Sequence, residues 1–268
     1  MRIPKLGLGT WRMGEDARLR QAEVNALHEG LDLGVNLIDT AEMYGGGAAE
    51  EIVGEAIRGR RDDVFVVSKV LPQNASRDGT IRAAEDSLRR LGTSYIDLYL
   101  LHWESPHPLE GTLEAFEQLV HEGKVRHFGL SNFDRRAMEA ADAKPAGAGI
   151  AADQVLYNLK RRGIEAGLLP WCAERGICVM AYTPLEQGDL THHDALAEVA
   201  RRHETTSPQV ALAWAMHHEH VVAIPKASNR RHVRENAAAL DLWLSDDDLA
   251  VLDRAFPPPR SETPLEIL

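Results

Sequence analysis

Cysteine is scarce. The chain has two, Cys172 and Cys178, in 268 residues, and no C-x-x-C pair. A disulfide framework and a structural zinc site are thereby set aside, and both thiols read as buried and structural in a reducing compartment. Positive charge is also short: 30 Lys and Arg stand against 41 Asp and Glu, a formal net charge of -11. Such a chain is a poor partner for nucleic acid or an anionic membrane, and an anionic cofactor would need a local basic patch. No apolar run is long enough to span a bilayer, and the opening MRIPKLGLGT lacks an apolar signal-peptide core. The expectation is a cytoplasmic protein, with a monomer as the default.

Two functional signatures are missing as well. A dinucleotide-binding fingerprint needs glycine at the first, third and sixth positions after a strand. Gly7-x-Gly9 meets Arg12 at the sixth, and Gly45-Gly46-Gly47 has the wrong spacing. A Rossmann site is therefore not supported. Metal ligation is not expected either, because Asp39 and His102 lack the further ligands that a zinc or iron site would want. The His192-His193 pair and the cluster His217-His218-x-His220 read as surface histidines, the second at a helix end.

What is present is a repeated joint. A helix ends at glycine and a β-rich run starts at once: Gly34 before VNLID, Gly92 before TSYIDLYLL, Gly123 before KVRHFGL, Gly176 before ICVMAY. Glycine just past a helix end takes the left-handed conformation without a Cβ penalty. The preceding segments carry helical stripes: Val24, Leu27, Leu31; then Ile81, Ala84, Leu88, Leu91; then Leu113, Phe116, Val120. Strands are predicted near 5–10, 35–39, 64–69, 95–101, 125–131, 151–156, 177–182 and 221–224. They are nearly continuous apolar runs, as in parallel sheets covered on both faces. The wide gap before the last strand holds two helical patterns, the second capped by Ser207 with Pro208 at its first position. Asp246-Asp247-Asp248 after Ser245 reads as a helix N-terminus, where carboxylates suit the dipole.

Eight alternating units without a linker point to a single α/β domain over 1–268, a (β/α)8 TIM barrel, with an irregular Pro-rich tail from about 257 to 268 lying over the surface. A doubly wound open sheet is the alternative. In a barrel the C-terminal strand ends form the active face. Those ends carry Trp11, Asp39, Lys69, His102, Ser131 with Asn132, Gln154, Tyr182 and Lys226, and Tyr44 follows strand two. Tyr44 would be a general acid if the Lys69 ammonium lowered its pKa; it would otherwise be an interface tyrosine. Asp39 would hold Lys69, or cap the helix after DTAE. His102 would hydrogen-bond a substrate oxygen as neutral imidazole, or be a packed polar residue. Trp11 and Trp103 would wall a substrate pocket, or pack the barrel mouth.

GLGTW, LIDTAEMYG, VSKV, LYLLHW, FGLSNF, QVLYN, AYTPL and IPKAS, in this order along the whole chain, resemble the aldo-keto reductase superfamily. The stretch from QVLYN through RRGIEAGLLPWC is similar to bacterial small-aldehyde and methylglyoxal reductases. The resemblance implies a (β/α)8 barrel that reduces a small aldehyde or ketone with NADPH, NADH being possible, and without metal or flavin. Asp39, Tyr44, Lys69 and His102 match the catalytic tetrad, with Tyr44 as acid. Ser131, Asn132 and Gln154 match the nicotinamide carboxamide site, and Tyr182 the aromatic stacked on its ring. Thr183 through Leu185 match the start of the pyrophosphate loop. Lys226, Ser228 and Asn229 match the 2′-phosphate site, and Glu235 and Asn236 the adenine contacts. His232 stands where the family often has a clamping arginine, with Arg230, Arg231 and Arg234 nearby. The shortened N-terminal hairpin and C-terminal loop imply an open pocket. A cofactor-binding regulatory subunit, or the same chemistry run as an alcohol dehydrogenase, are the rival expectations.

Overall fold

The computed structural model describes residues 2–268. Among them, eight parallel strands pair in chain order: β1 (Gly7–Gly9), β2 (Leu37–Asp39), β3 (Phe65–Val70), β4 (Ile96–Leu101), β5 (Val125–Ser131), β6 (Ile150–Leu156), β7 (Cys178–Tyr182) and β8 (Val221–Ile224). Isolated bridges Leu6–Ala223 and Gly9–Lys226 bring β8 back to β1 and close a barrel. The helices outside it are α1 (Arg20–Asp32), α2 (Ala48–Ala56), α3 (Arg77–Leu91), α4 (Leu109–His121), α5 (Arg135–Asp142), α6 (Leu168–Glu174), α7 (Asp194–Arg202), α8 (Ser207–His217), α9 (Arg230–Ala237) and α10 (Asp246–Ala255). The closed barrel answers the alternative of an open sheet. All four joint glycines have positive φ: 82° at Gly34, 62° at Gly92, 72° at Gly123 and 68° at Gly176.

Side chains alternate across a strand, and this places the site. Leu37, Val67, Leu98, Leu100, Ala152, Met180, Val222 and Ile224 pack with one another inside the barrel. The next residue of each inward row lies two positions on: Asp39, Lys69, His102, Gln154, Tyr182 and Lys226. Each row thus fills the barrel with apolar atoms and ends on a polar group at one mouth. The outward rows join the helix stripes in a second, larger core.

The opposite end is closed by very little chain. Ile3 and Phe65 pack against the interior cluster. Lys5 Nζ donates to the carbonyls of His218 (2.6 Å) and Glu219 (2.5 Å), with Met216 and Val221 at 3.4 Å. One ammonium therefore satisfies carbonyls left over at the end of α8.

Two expectations change. Thr206, not Ser207, caps α8, in a capping box with Gln209, so Pro208 is the second helical residue. His218 is half-buried between Tyr157 and Trp214 rather than on the surface. The tail from 257 to 268 is irregular and largely exposed, as expected, and the surface it lies over proves to be the barrel mouth: Pro264, Leu265, Ile267 and Leu268 line the large cavity there. The α10 expectation stands, with Ser245 and Asp248 forming a capping box.

Alternation also turns Asp153 outward from the barrel, into a fully buried position. Neither carboxyl oxygen has a well-aligned partner among the described residues. Burial raises its pKa well above the ordinary value, with the Asp134 charge adding to it and the Phe133 N–H opposing. A raised carboxyl pKa means that the unfolded chain loses its proton first, so stability falls as pH rises above the unfolded value near 4. We predict that the melting temperature of the wild type drops between pH 5 and pH 8 by more than that of Asp153→Asn. Parallel curves for the two proteins would refute this.

Candidate active site

Asp39, Lys69, Tyr44 and His102 meet at the mouth. Lys69 is fully buried, and its Nζ donates to Asp39 Oδ1 at 2.7 Å, to the Thr40 carbonyl at 2.8 Å and to the Tyr44 hydroxyl at 3.4 Å. Asp39 uses both oxygens, because Oδ2 accepts from Gln154 Nε2 at 2.7 Å. Removing either charge from such a pair leaves the other buried and unpaired, at a cost of about 3–5 kcal/mol. The Tyr44 ring stands edge-on to His102, centroids 5.8 Å apart, and His102 lies against Trp103 at 4.8 Å.

The electrostatics sharpen the expected roles and correct one. Burial pulls the Lys69 pKa down, but the Asp39 charge and Tyr44 more than reverse this, and the net direction is up. Lys69 is thus a cation at neutral pH. The Tyr44 pKa is raised, not lowered: burial outweighs the attraction of Lys69 for a phenolate. Tyr44 therefore holds its proton firmly, as a donor should, and Lys69 favours the charge that appears once the proton has left. Burial, with help from the Lys69 charge, lowers the His102 pKa to about 3. Its imidazole is neutral, and its buried Nδ1 has no partner among the described residues.

The mouth opens into a cavity of about 1290 Å³, larger than the roughly 300–1,000 Å³ common for small-ligand pockets. Trp11, Met43, Trp103, Glu104 and the tail residues line it together with Tyr44 and His102. Ser131, Asn132, Gln154, Tyr182, Thr183 and Leu185 line it beyond, and Lys226, His232, Glu235 and Asn236 lie at its far end. Polar groups there are already ordered. Ser131 Oγ donates to the Gln154 carbonyl at 2.8 Å, Asn132 Nδ2 to the His102 carbonyl at 3.0 Å, and the Tyr182 hydroxyl to Asn132 Oδ1 at 2.9 Å. Gln154 Nε2 donates to Asp39 and to the Met180 sulfur, and Oε1 is left as an acceptor. Backbone strain collects at the rim: Arg12, Asn132, Thr183, Glu186 and Gln187 all have φ between 46° and 64°, a costly region for residues other than glycine.

The basic end is leaner than its sequence suggests. Glu29 of α1 accepts from Arg230 Nε at 2.6 Å and from Arg234 Nε at 2.5 Å. Asn229 caps α9, accepting from the His232 N–H at 3.1 Å, and does not line the cavity. Lys226 Nζ donates to Ser228 Oγ at 3.1 Å. Arg12 joins Lys226 among the lining residues, its guanidinium over the Trp11 ring at 4.4 Å from the centroid. Sequence reasoning passed over Arg12, Met43, Glu104 and the tail. The tail had a signal: Leu265, Ile267 and Leu268 are apolar residues in an otherwise polar, Pro-rich end.

The Aldo/keto reductase family profile matches residues 5–256. The chain belongs to that family. Among curated relatives of this aldo/keto reductase family member, the methylglyoxal reductase YeaE of Escherichia coli (strain K12) is 48% identical over 99% of this chain and 95% of its own. The glyoxal reductase of Bacillus subtilis (strain 168) is 33% identical over 94% of this chain and 88% of its own. Among solved structures, an aldo-keto reductase from Klebsiella pneumoniae in complex with NADPH superposes with a TM-score of 0.97 at 51% identity, covering 99% of this chain and 95% of that one. The thermostable aldo-keto reductase Tm1743, solved with the inhibitor epalrestat, gives a TM-score of 0.88 at 43% identity, covering 94% and 95%.

Proposed function

We propose that this chain is an NADPH-dependent carbonyl reductase for small aldehydes and ketoaldehydes of the methylglyoxal type. The observation that carries the reading is the buried Asp39–Lys69–Tyr44 chain with neutral His102 beside it, at the closed end of a cavity large enough for a dinucleotide and a small substrate. The relatives' named activities support it, as does the NADPH of the Klebsiella pneumoniae neighbour.

A bound nicotinamide would supply the hydride. The chain's own residues do the rest. Tyr44 donates its proton to the carbonyl oxygen, and Lys69, held by Asp39, favours the phenolate left behind. His102, neutral throughout the working range, hydrogen-bonds the same oxygen and orients the carbonyl. Such positioned donors lower the barrier by stabilising charge as it develops. Ser131, Asn132 and Gln154 would hold the carboxamide, Tyr182 would stack on the ring, and Thr183 through Leu185 would flank the pyrophosphate. Glu235 and Asn236 would face the adenine. Trp11 and Trp103 wall the substrate.

The 2′-phosphate falls to Lys226 and Ser228, because Glu29 occupies Arg230 and Arg234. Burial lowers the Lys226 pKa, and a phosphate dianion beside it would favour the charged ammonium. A charged hydrogen bond of this kind is worth about 1.5–3 kcal/mol. Lys226→Ala should raise the NADPH dissociation constant about tenfold to a hundredfold and leave that for NADH nearly unchanged. Fluorescence titration of both cofactors reads this; a variant that still prefers NADPH as strongly as wild type would remove Lys226 from the phosphate site. The reading as a whole is tested by steady-state turnover of methylglyoxal, phenylglyoxal and simple aldehydes with NADPH and with NADH. No turnover with any carbonyl would end it.

A further inference from the structure

The segment after β6 is not part of the cavity wall, yet two stretches of that wall are fastened to it. Arg161 bonds Glu186 Oε1 through Nε at 2.9 Å and through a terminal nitrogen at 2.8 Å, and bonds Glu266 Oε1 through its other terminal nitrogen at 2.6 Å. Glu186 lies in the irregular stretch after β7, whose Thr183, Pro184, Leu185, Gln187 and Gly188 line the cofactor side of the cavity. Glu266 lies in the tail, between Leu265 and Ile267, which line the same cavity.

The surroundings are built for the same task. Asn158 Nδ2 donates to the Thr183 carbonyl at 3.0 Å and to Glu186 Oε2 at 2.6 Å. Arg162 is 9% exposed and holds the root of the tail, donating to the Phe256 carbonyl and to Asp253 Oδ1 at 2.7 Å. Gly163 and Gly167 form a seat: a Cβ at Gly163 would lie 2.3 Å from Thr263 Oγ1, and one at Gly167 2.6 Å from Glu262 Cδ. The stretch Arg161–Gly167 thus carries a fork for two carboxylates and two gaps that fit the tail.

We propose that Arg161 is a positioning residue that holds the 183–188 loop and the tail against the cavity together, so that cofactor retention and closure of the substrate mouth depend on one side chain. This rests on the carbonyl-reductase reading for its substrate half only. Arg161 touches neither reacting partner; it acts through Glu186 and Glu266. Arginine suits the position because its planar fork reaches two carboxylates at once, which a lysine ammonium on a single stem does not reproduce.

The experiment compares wild type with Arg161→Gln, Arg161→Lys, Glu266→Gln and Gly163→Ala. It reads the NADPH dissociation constant by fluorescence, the methylglyoxal KM, the single-turnover rate at saturation and the melting temperature. Partly exposed ion pairs have modest effects, so Arg161→Gln should raise both the dissociation constant and KM about threefold to tenfold. Its single-turnover rate should stay within about twofold of wild type. Arg161→Lys should recover one constant but not both. Glu266→Gln and Gly163→Ala, which touch only the tail, should raise KM and leave the NADPH constant alone. The proposal is overturned if Arg161→Gln leaves either constant within about twofold of wild type, or lowers only the melting temperature. If Arg161→Gln does not fold, the two tail variants decide: an unchanged KM in both overturns it. A wild type that binds NADPH but turns over no carbonyl would refute the reductase reading, and the cofactor half would still be decided by the titrations.

Discussion

Tyr44→Phe should lower carbonyl reduction about 10²–10⁴-fold, the usual contribution of a positioned general acid, while NADPH affinity changes little. Phenylalanine keeps the ring and its edge-on contact with His102, so the cavity wall survives and only the hydroxyl is lost. No neighbour replaces it well. His102 is neutral with a pKa near 3, and Lys69 is buried behind Tyr44 with its protons committed to Asp39 and Thr40. The pH profile gives the same residue a second reading. With the Tyr44 pKa raised, the acid remains protonated from pH 5 through 9, and kcat/KM should be flat there and decline only in strong alkali. A limb between pH 6 and 7, or a Tyr44→Phe enzyme that keeps more than about a tenth of the wild-type single-turnover rate, would take the acid role from Tyr44.

Lys69→Met should cost as much activity and far more stability. It strips the phenolate of its cation and leaves the Asp39 side chain, only 4% exposed, without its counter-charge. Leaving one partner of a buried pair costs about 3–5 kcal/mol, which for a domain of this size is a drop in melting temperature of roughly 10 °C. The two losses separate in the double variant Asp39→Asn/Lys69→Met. Removing both charges should restore much of the melting temperature and none of the turnover. Asp39→Asn alone should have the milder effect on rate, because Lys69 keeps Thr40 and Tyr44 as partners. If Lys69→Met matched wild type in melting temperature, the buried pair would not be what holds this end of the barrel.

Much of the barrel could be read from the chain because its rules are local. A glycine after each apolar helical stripe marks a turn back into a strand, and period-two alternation then brings Asp39, Lys69, His102, Gln154, Tyr182 and Lys226 to one mouth. What escaped depends on contacts between distant segments. The direction of the Tyr44 shift depends on burial, which no spacing of residues displays. Arg230 and Arg234 look available for a phosphate until Glu29, some 200 positions earlier, is seen to hold them. Asn229 matches the 2′-phosphate site by resemblance, and only the structure shows that its extended backbone and side-chain oxygen also serve α9 as a cap. The cap of α8 differs in kind, since Thr206-x-x-Gln209 is a capping-box pattern legible in the sequence itself. The seat of the tail escaped as well, because it depends on Gly163 and Gly167 leaving room for Thr263 and Glu262, about a hundred positions further on, to lie close.

The Lys5 ammonium has a consequence for how the chain comes together during synthesis. Its carbonyl partners lie 211 to 216 residues further along, and β8, the neighbour that completes β1, is just as distant. A ribosome delivers the N-terminal end first, at about 5–20 residues per second. For roughly ten seconds or more β1 has one partner strand and one bare edge. Bare edges recruit foreign strands, and brevity is among the ways proteins blunt them. Gly7-Leu8-Gly9 is three residues long with two glycines, a poor template for mispairing. The seam between the first and eighth strands is the last join of the barrel, made late by two short bridges and reinforced by one lysine.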